Sequence, residues 1–322
     1  MAKNSSLTDA KRNIEDEFYT QLSDIEKELK HYTDHFRGKT VFCNCDDPEE
    51  SNFWKYFELN FERLGLKRLI STHYETDKPS YKLEIVGDIN KDGTVNNKDI
   101  IKTKLSQNGD FRSPEAIDLL KQADIVCTNP PFSLFREFVS QLMEYEKSFI
   151  IIGNQNSCTY KEFFPLLKDG KVWQGYGCGD MKFTVPDYYE PRETRFWIDE
   201  NGQKWRSLGN ICWYTNLDIK KRHEDIILYK KYSADEYPEF DNYHAINVDK
   251  VADIPSDYFD PMGVPVTFLD KHSQEQFEIL DANDYRKTSS IPIKKHGLIK
   301  DKDGSINGKP KYARILIRRK SQ

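Results

Sequence analysis

The chain has 322 residues, of which 37% are apolar and 31% are charged, with 48 lysines and arginines against 53 aspartates and glutamates. This balance is typical of a globular protein, and the net charge of -5 excludes a protein that coats nucleic acid indiscriminately, since that task needs clustered cations. No window approaches the roughly 18 consecutive apolar residues that a membrane helix needs, so we expect a cytoplasmic protein.

The first predicted element is an amphipathic helix that follows a polar tail. Apolar residues recur at helical spacing between Asp16 and Tyr32, which assigns 1–35 to an N-terminal tail and helix. A strand at Thr40–Cys43, a turn-rich loop and a helix through residues 53–64 follow.

Short runs that are apolar at every position predict strands covered on both faces. The alternation of such runs with helices favours a mostly parallel, twisted, Rossmann-like α/β sheet, which we expect over residues 36–170. The runs lie at 68–72, 123–127 and 148–152, and the helices at 114–122 and 134–144.

The composition changes beyond Gly170. Aromatic and charged residues interleave there, and repeated prolines interrupt any long element. We therefore expect an irregular, β-rich region over residues 171–322, with a final strand-like run at Tyr312–Ile317.

Two features were considered as metal or redox sites. The six cysteines lack paired spacing, which predicts reduced and mostly buried thiols rather than zinc ligands or a disulfide framework. The segment Asp88–Asp99 has oxygen-bearing residues at positions one, three, five and twelve and glycine at six, as in a calcium loop. Its last residue is Asp rather than the bidentate Glu, which favours a polar surface loop and leaves calcium as the alternative, so we assign no metal site.

The string Asn129-Pro130-Pro131-Phe132 carries the clearest chemistry. It follows the apolar run at 123–127 and precedes a helix, and α/β sheets bind ligands at such strand ends. Prolines lack N–H groups, so this backbone offers acceptors, and the amino group of adenine is a suitable donor. If Asn129 and the Pro130 carbonyl accept its N–H groups while Phe132 stacks on the ring, its delocalised lone pair becomes available to attack a sulfonium methyl group. The alternative is a merely rigid turn.

Asn-Pro-Pro-Phe resembles the catalytic motif of amino-group methyltransferases, and its surroundings are similar to the EcoRI-type adenine-specific DNA methylase family. About three quarters of the chain carries this resemblance. The similar segments are Gly109–Ser113, Thr128–Phe138, Ile151–Asn154, Val185–Arg195, Gly209–Arg222 and Ala245–Leu269.

The resemblance implies that residues 36–170 form the catalytic domain and bind S-adenosylmethionine. Methyltransferases usually have a glycine-rich loop after the first strand, but here Asn44, Cys45, Asp46 and Asp47 stand in its place. Asp46 or Asp47 would hold the methionine ammonium, with loop solvation or helix capping as the alternative.

Further cofactor residues follow from the same resemblance. Asp110 would receive the amino group of the cofactor's adenine while Phe111 packs against that base, with a plain turn as the alternative. Tyr19 and Thr20 would lie near the methionine carboxylate, with a core-facing helix start as the alternative. The second strand ends at Thr72, near the ribose hydroxyls, although the acidic residue common at that place is missing. Asn129 is assigned to the cofactor site as well as to catalysis.

The resemblance also implies double-stranded DNA as the partner, read by residues 171–322. An enzyme that acts on a base within a duplex must extrude it, which requires cations for phosphates and side chains for base edges. Solvated surface charges are the alternative for each basic residue of this region. The residues assigned to DNA are Arg192, Arg195, Arg206, Lys220, Lys221 and Arg222.

The expected function is therefore site-specific methylation of adenine N6 in a short DNA palindrome such as GAATTC, within a restriction-modification or phage-type modification system. Two alternatives stay open: an N-methyltransferase that acts on RNA or a protein amide, and a DNA-binding protein that has lost catalysis. One active site suffices for one target adenine, so we expect a monomer. The sequence leaves open whether a separately encoded restriction endonuclease is its partner.

Overall fold

Ten strands form one large mixed sheet in the computed structural model, which describes residues 18–45, 47–76, 78–288, 297–299 and 304–321. The order across the sheet is β1-β8-β10-β7-β6-β2-β3-β4-β5, and β9 pairs with β10. The strands are β1 (Tyr19–Thr20), β2 (Thr40–Cys43), β3 (Arg68–Thr72), β4 (Tyr81–Ile85), β5 (Ile101–Lys104), β6 (Ile125–Thr128), β7 (Ser148–Asn154), β8 (Trp173–Thr184), β9 (Phe196–Ile198) and β10 (Lys204–Thr215).

The expected α/β architecture with parallel strands is confirmed, but parallel pairing is confined to the centre. Strands β7, β6, β2 and β3 are parallel, and β2 and β6 are buried at every position. The pairs β3–β4, β4–β5 and β7–β10 are antiparallel, so the sheet is less parallel than predicted. Among their described residues, the connections between β3, β4 and β5 contain no α-helix, and a parallel pairing needs a long crossover.

Seven α-helices are described, and local capping explains the start of two of them. The Ser51 hydroxyl accepts the Phe53 N–H at 3.1 Å, and the Ser113 hydroxyl accepts the Ala116 N–H at 3.2 Å ahead of a proline in the first turn. The helices are α1 (Leu22–Leu29), α2 (Thr33–Phe36), α3 (Asn52–Leu59), α4 (Phe61–Leu64), α5 (Pro114–Gln122), α6 (Phe135–Glu144) and α7 (Phe164–Lys168).

Two predicted helices are shorter than expected. The helix predicted from Asp16 begins only at Leu22, because Tyr19–Thr20 instead pairs with β8 as a strand, and residues 16 and 17 lie outside the described part of the chain. The helix predicted through residues 53–64 divides at Asn60, whose side-chain amide donates to the Tyr56 carbonyl at 2.7 Å. Such a bond competes with the helical backbone for its acceptor.

The described residues divide into two compact units, the first drawn from Met1–Gln155 and Gly177–Leu217 and the second from Asn156–Tyr176 and Asp218–Gln322. This division differs from the predicted boundary at residue 170. Residues 177–217 group with the first unit because they contain most of β8 and all of β10, which are strands of the large sheet. These residues mix aromatic and charged side chains, so their sequence gave no signal that they pair with strands of the large sheet.

The second unit contains a four-stranded sheet of order β11-β12-β16-β13 and a two-stranded pair, β14-β15. The predicted C-terminal strand is confirmed as β16, which pairs with β12 and β13. The strands are β11 (Ile246–Asn247), β12 (Met262–Pro265), β13 (Phe277–Ile279), β14 (Ser305–Ile306), β15 (Lys309–Pro310) and β16 (Arg314–Arg319).

The expectation of six reduced thiols is wrong for one pair. Cys178 on β8 and Cys212 on the neighbouring β10 have Cα atoms 4.1 Å apart and are joined by a disulfide. A separation of 34 residues along the chain gives no sign of this contact. Cys43, Cys127 and Cys158 are buried cysteines outside this disulfide.

Within the described ranges, no helix combines the length and the apolar character that crossing a membrane requires.

Candidate active site

The Asn-Pro-Pro-Phe motif lies where the strand order of the sheet reverses. The chain passes from β2 to β3 on one side of β2 and later returns with β6 on the other side. Ligands of α/β sheets bind beyond the carboxyl ends of the strands at such a reversal. Asn44 and Cys45 follow β2, and Asn129 and Pro130 follow β6. The Cys45 N–H donates to the Thr128 hydroxyl at 3.3 Å, which joins the two strand ends.

The orientation of the Asn129 amide is fixed by the segment that precedes β1. Its Nδ2 atom donates to the Phe18 carbonyl at 2.7 Å, and the residue is only 7% exposed. The Phe18 ring stacks on the half-buried Phe132 ring with centroids 5.6 Å apart and an interplanar angle of 27°. The nitrogen of Asn129 is thereby committed to Phe18, so Oδ1 is the atom suited to accept a hydrogen bond from a substrate amino group.

Phe132 has an aromatic neighbour that the sequence did not predict. Its ring stacks on Phe18, and its predicted stacking on the target base stays a prediction. The Phe18 ring also contacts Phe183 and Tyr189, at centroid distances of 5.6 and 5.9 Å. Phe18 was not among the residues assigned from the sequence, because its packing against the motif leaves no signal there.

Three buried polar atoms lie on segments that were assigned to the cofactor. They are Thr20 Oγ1 on β1, Asn44 Oδ1 after β2 and Thr72 Oγ1 at the end of β3, on residues 2%, 3% and 2% exposed. None has a hydrogen-bond partner in the described part of the chain. Leaving such an atom unsatisfied costs about 1–3 kcal/mol. A bound polar molecule with several donors and acceptors would satisfy them, so these residues fit a cofactor of that kind.

The loop after β2 is attached to the end of β3 through His73. The Asp47 carboxylate lies 3.0 Å from His73 Nδ1 and accepts the Glu49 N–H at 3.0 Å. Burial alone would raise the pKa of Asp47, but the close contact with His73 and the hydrogen bond from the Glu49 backbone outweigh it and hold this pKa below its ordinary value. Asp47 is thus an anion at neutral pH. Asp46, the other candidate for the methionine ammonium, lies outside the described residues.

Asp110 is held by a neighbour that the sequence did not assign. Arg112 Nε and Nη2 donate to its two carboxylate oxygens at 2.9 and 2.7 Å. Burial would raise the pKa of Asp110, but these hydrogen bonds and the Arg112 backbone N–H lower it overall. Phe111 is buried, and its ring packs edge-on against the Phe138 ring with centroids 5.2 Å apart. Asp110, which was predicted to receive a ligand amino group, therefore already accepts two hydrogen bonds from the Arg112 guanidinium. Arg112 stands two residues after Asp110, so this pairing could have been suggested from the sequence.

The six basic residues assigned to DNA fall on both units. Arg195 pairs with Asp180 at 3.1 Å, and Arg206 donates to the Thr194 carbonyl at 2.5 Å. The Arg192 guanidinium lies 5.8 Å from the centroid of the Tyr189 ring. These three residues belong to the first unit.

Lys220, Lys221 and Arg222 belong to the second unit and form most of a 3₁₀ helix. Lys221 pairs with Asp270 at 2.6 Å, and the Arg222 guanidinium stacks 3.7 Å from the Trp173 ring centroid. Both side chains therefore have structural contacts within their unit. Lys220 is exposed.

The Asp88–Asp99 loop uses its carboxylates for its own backbone. Asp88 accepts the N–H groups of Asp92 and Gly93, and Asp99 accepts those of Ile89 and Asn90. Over the described ranges, no group of three or more His, Cys, Asp or Glu side chains is arranged to hold a metal ion.

A cavity of about 530 Å³ lies next to the loop after β2, away from the motif. Ser51, Trp54, Lys55, Leu83 and Lys102 are among its lining residues, and the motif residues are not. The chemistry is therefore assigned from the strand ends rather than from cavity size.

A family described as "Adenine-specific methyltransferase EcoRI" matches residues 6–320 of the chain. The chain therefore belongs to the EcoRI family of adenine-specific methyltransferases, and the resemblance drawn from the motif segments is confirmed. Its relatives include the type II methyltransferase M.EcoRI of Escherichia coli, which is 48% identical over 99% of this chain and 98% of the relative.

Two mycoplasma proteins are also similar. The type II methyltransferase M.MpnI of Mycoplasma pneumoniae is 39% identical over 97% of both chains. The type II methyltransferase M.MgeORF184P of Mycoplasma genitalium is 38% identical over 96% of this chain and 97% of the relative. No solved structure matched the chain significantly.

Proposed function

We propose that this adenine-specific methyltransferase transfers a methyl group from S-adenosylmethionine to N6 of an adenine flipped out of a short duplex DNA sequence. The observation that carries this proposal is the fixed Asn129 amide, which lies beyond β6 where the strand order of the sheet reverses. The four central parallel strands and their order support a Rossmann-like methyltransferase core.

Asn129 and Pro130 raise the reactivity of the target nitrogen. The lone pair of adenine N6 is delocalised into the ring, which makes it a weak nucleophile. Hydrogen bonds from its N–H groups to Asn129 Oδ1 and the Pro130 carbonyl favour a tetrahedral nitrogen, and they strengthen as the nitrogen gains positive charge. The Leu134 N–H donates to the Pro131 carbonyl at 3.0 Å, which keeps the turn closed and the two acceptors in place.

The cofactor would be held at the carboxyl ends of β2 and β3. Asn44 and Thr72 offer buried oxygens there, and Asp47 offers an anion to the methionine ammonium. Asp110 and Phe111 would face the adenine of the cofactor, with Arg112 sharing the carboxylate. When bound, S-adenosylmethionine supplies a methyl group on a positively charged sulfur.

We assign the remaining cofactor residues to β1 and to the ends of β2 and β6. Tyr19 and Thr20 would lie at the methionine carboxylate, where Asn52 ties β1 to α3 by donating to the Thr20 carbonyl at 2.7 Å. Cys45 would act through its backbone, since its N–H holds the β6 end beside β2. Asn129 borders both the cofactor and the target base.

The recognition part of the proposal rests on the basic and aromatic residues beyond residue 171. Lys220 and Arg192 are the cations we favour for phosphates, and Arg195 or Arg206 would contact DNA only after exchanging their present partners. We propose a palindromic target such as GAATTC, modified in the cytoplasm by a monomer acting on one strand at a time. A separately encoded endonuclease would be its counterpart in a restriction-modification system.

Tritium transfer from labelled S-adenosylmethionine to duplex DNA tests this proposal, with the wild type compared to Asn129→Ala and the labelled base identified. Label in N6-methyladenine that is lost in the variant supports it, and sequencing of the modified sites gives the recognition sequence. Cofactor binding without transfer to DNA would instead favour RNA or a protein amide as substrate. Absence of cofactor binding would leave a DNA-binding protein without catalysis.

A further inference from the structure

His73 lies directly after β3 and is held between two carboxylates. Its Nδ1 atom is 3.0 Å from Asp47 Oδ2, and its Nε2 atom is 3.2 Å from Glu75 Oε1. Its ring stacks on Tyr81 with centroids 4.8 Å apart and an interplanar angle of 17°. The imidazole therefore connects the loop after β2 to the loop after β3.

The backbone of His73 also contacts the third segment assigned to the cofactor. Gly109 packs so closely on the His73 carbonyl that a Cβ atom at Gly109 would lie 1.9 Å from that oxygen. Beside it, the Glu75 N–H donates to the Asn108 carbonyl at 2.8 Å. One residue thus touches the loop of Asp47, the end of β3 and the segment that leads into Asp110.

The surroundings of His73 favour its charged form. The pKa of His73 is raised chiefly by its close contact with the Asp47 carboxylate, against the opposing effect of burial, and then by the charges of Asp47 and Glu75. Two cations lie nearby: Lys102 lies over the Tyr81 ring at 3.7 Å and pairs with Glu49 at 2.7 Å, and Lys78 is 3.9 Å from Glu75. The charged bridge is complete below the raised pKa and is lost as the pH rises through it.

We propose that His73 is the positioning residue of the cofactor site: as an imidazolium between Asp47 and Glu75, it holds the three cofactor segments together. This inference rests on the proposed function, because it takes S-adenosylmethionine as the ligand of these segments. His73 acts through Asp47 and Glu75 and does not itself touch the reacting atoms. Affinity for the cofactor therefore depends on the protonation of His73.

Calorimetric titration of the full-length protein with S-adenosylmethionine between pH 6 and 9 tests the proposal. We expect the affinity of His73→Gln to be about tenfold lower than that of the wild type near pH 6.5, where the wild-type imidazole is charged; tenfold corresponds to about 1.4 kcal/mol. This ratio should approach one as the pH rises and His73 loses its proton. The ligand's own amine titrates in this range, and comparing the two proteins at each pH cancels its effect.

His223→Gln provides a matched control. His223 also lies between two carboxylates, with Asp218 at 2.7 Å and Glu275 at 2.8 Å, but it belongs to the second unit. Its substitution should leave the affinity unchanged at every pH. Because His73→Gln could fail to fold, the pKa of the His73 imidazole is also measured by NMR in the wild type, and it should rise when the cofactor binds.

The possible results separate the two proposals. If the wild type binds S-adenosylmethionine but the affinity ratio stays constant with pH, or the His73 pKa does not rise on binding, the role of His73 is refuted and the proposed function stands. If the wild type does not bind S-adenosylmethionine at all, the proposed function is overturned, and the role of His73 with it.

Discussion

Replacing Asn129 by alanine removes two interactions whose sizes follow from the structure. The first is an acceptor for an amino group that becomes cationic in the transition state, and a hydrogen bond to a charged group contributes about 1.5–3 kcal/mol. The second is the 2.7 Å bond to the Phe18 carbonyl, a neutral hydrogen bond that contributes about 1 kcal/mol. Together they predict a methyl-transfer rate lowered by roughly 10²- to 10³-fold, since about 1.4 kcal/mol corresponds to tenfold.

Asn129→Asp tests the same geometry more sharply. A carboxylate at this buried position would face the Phe18 carbonyl oxygen, so desolvation and repulsion should raise its pKa by about 3 units from roughly 3.9, into the range near 7. Below that pKa the protonated group donates to Phe18 again and keeps an oxygen for the substrate. The activity of the variant relative to the wild type should therefore increase as the pH falls.

The assay is single-turnover tritium transfer to duplex DNA with the enzyme in excess, from pH 6 to 8.5, for the wild type and both variants. The variants Asn90→Ala and Asn90→Asp, at an exposed asparagine of the Asp88–Asp99 loop, serve as matched controls and should follow the wild type. A rate for Asn129→Ala within about threefold of the wild type would refute the acceptor role, because that is under 1 kcal/mol. A pH-independent ratio for Asn129→Asp would refute the tether to Phe18.

Four further substitutions probe other parts of the chain. Gly109 has φ +79° and packs against the His73 carbonyl, so Gly109→Ala should lower the melting temperature and weaken cofactor binding. An unchanged cofactor affinity in calorimetric titration would contradict the importance of that contact. Ser113→Ala should cost about 1 kcal/mol through loss of the helix cap, and an unshifted thermal melt would argue against it. Lys220→Ala should reduce the salt slope of DNA binding by about 1. Lys221→Ala should mainly lower the melting temperature, because Lys221 is ion-paired within its unit. A lower salt slope for Lys221→Ala together with an unchanged slope for Lys220→Ala would show that Lys221, not Lys220, contacts phosphate.

The central strands were predictable because burial on both faces leaves a local signal. The runs at Thr40–Cys43 and Ile125–Thr128 are apolar at almost every position, and both proved to be fully buried parallel strands. The Asn-Pro-Pro-Phe motif was predictable for a related reason: it follows one of these runs directly, so its place at a strand end needs no knowledge of distant contacts.

Elements whose stability comes from distant partners were not predictable in this way. Tyr19–Thr20 is a strand only because Phe183 and Thr184 lie beside it. The long strand β10 likewise gains its place by pairing with β7, although its aromatic and charged residues resemble those of an irregular region. Such pairings depend on register across more than 50 residues of chain, and no local pattern encodes that register.

The position of the cofactor segments is partly predictable from local sequence and partly dependent on distant contacts. Cys43 and Ser71 are paired in register, so the residues just beyond them emerge at the same edge of the sheet. The sequence shows that the end of β3 lacks the expected acidic residue, but it cannot show that Asp47 reaches across from the neighbouring strand end. His73 lies between two carboxylates, 3.0 Å from Asp47 and 3.2 Å from Glu75. In our proposal, Asp47 and Glu75 thus supply in space the negative charge missing from the strand end, and the protonation of His73 becomes part of the cofactor site.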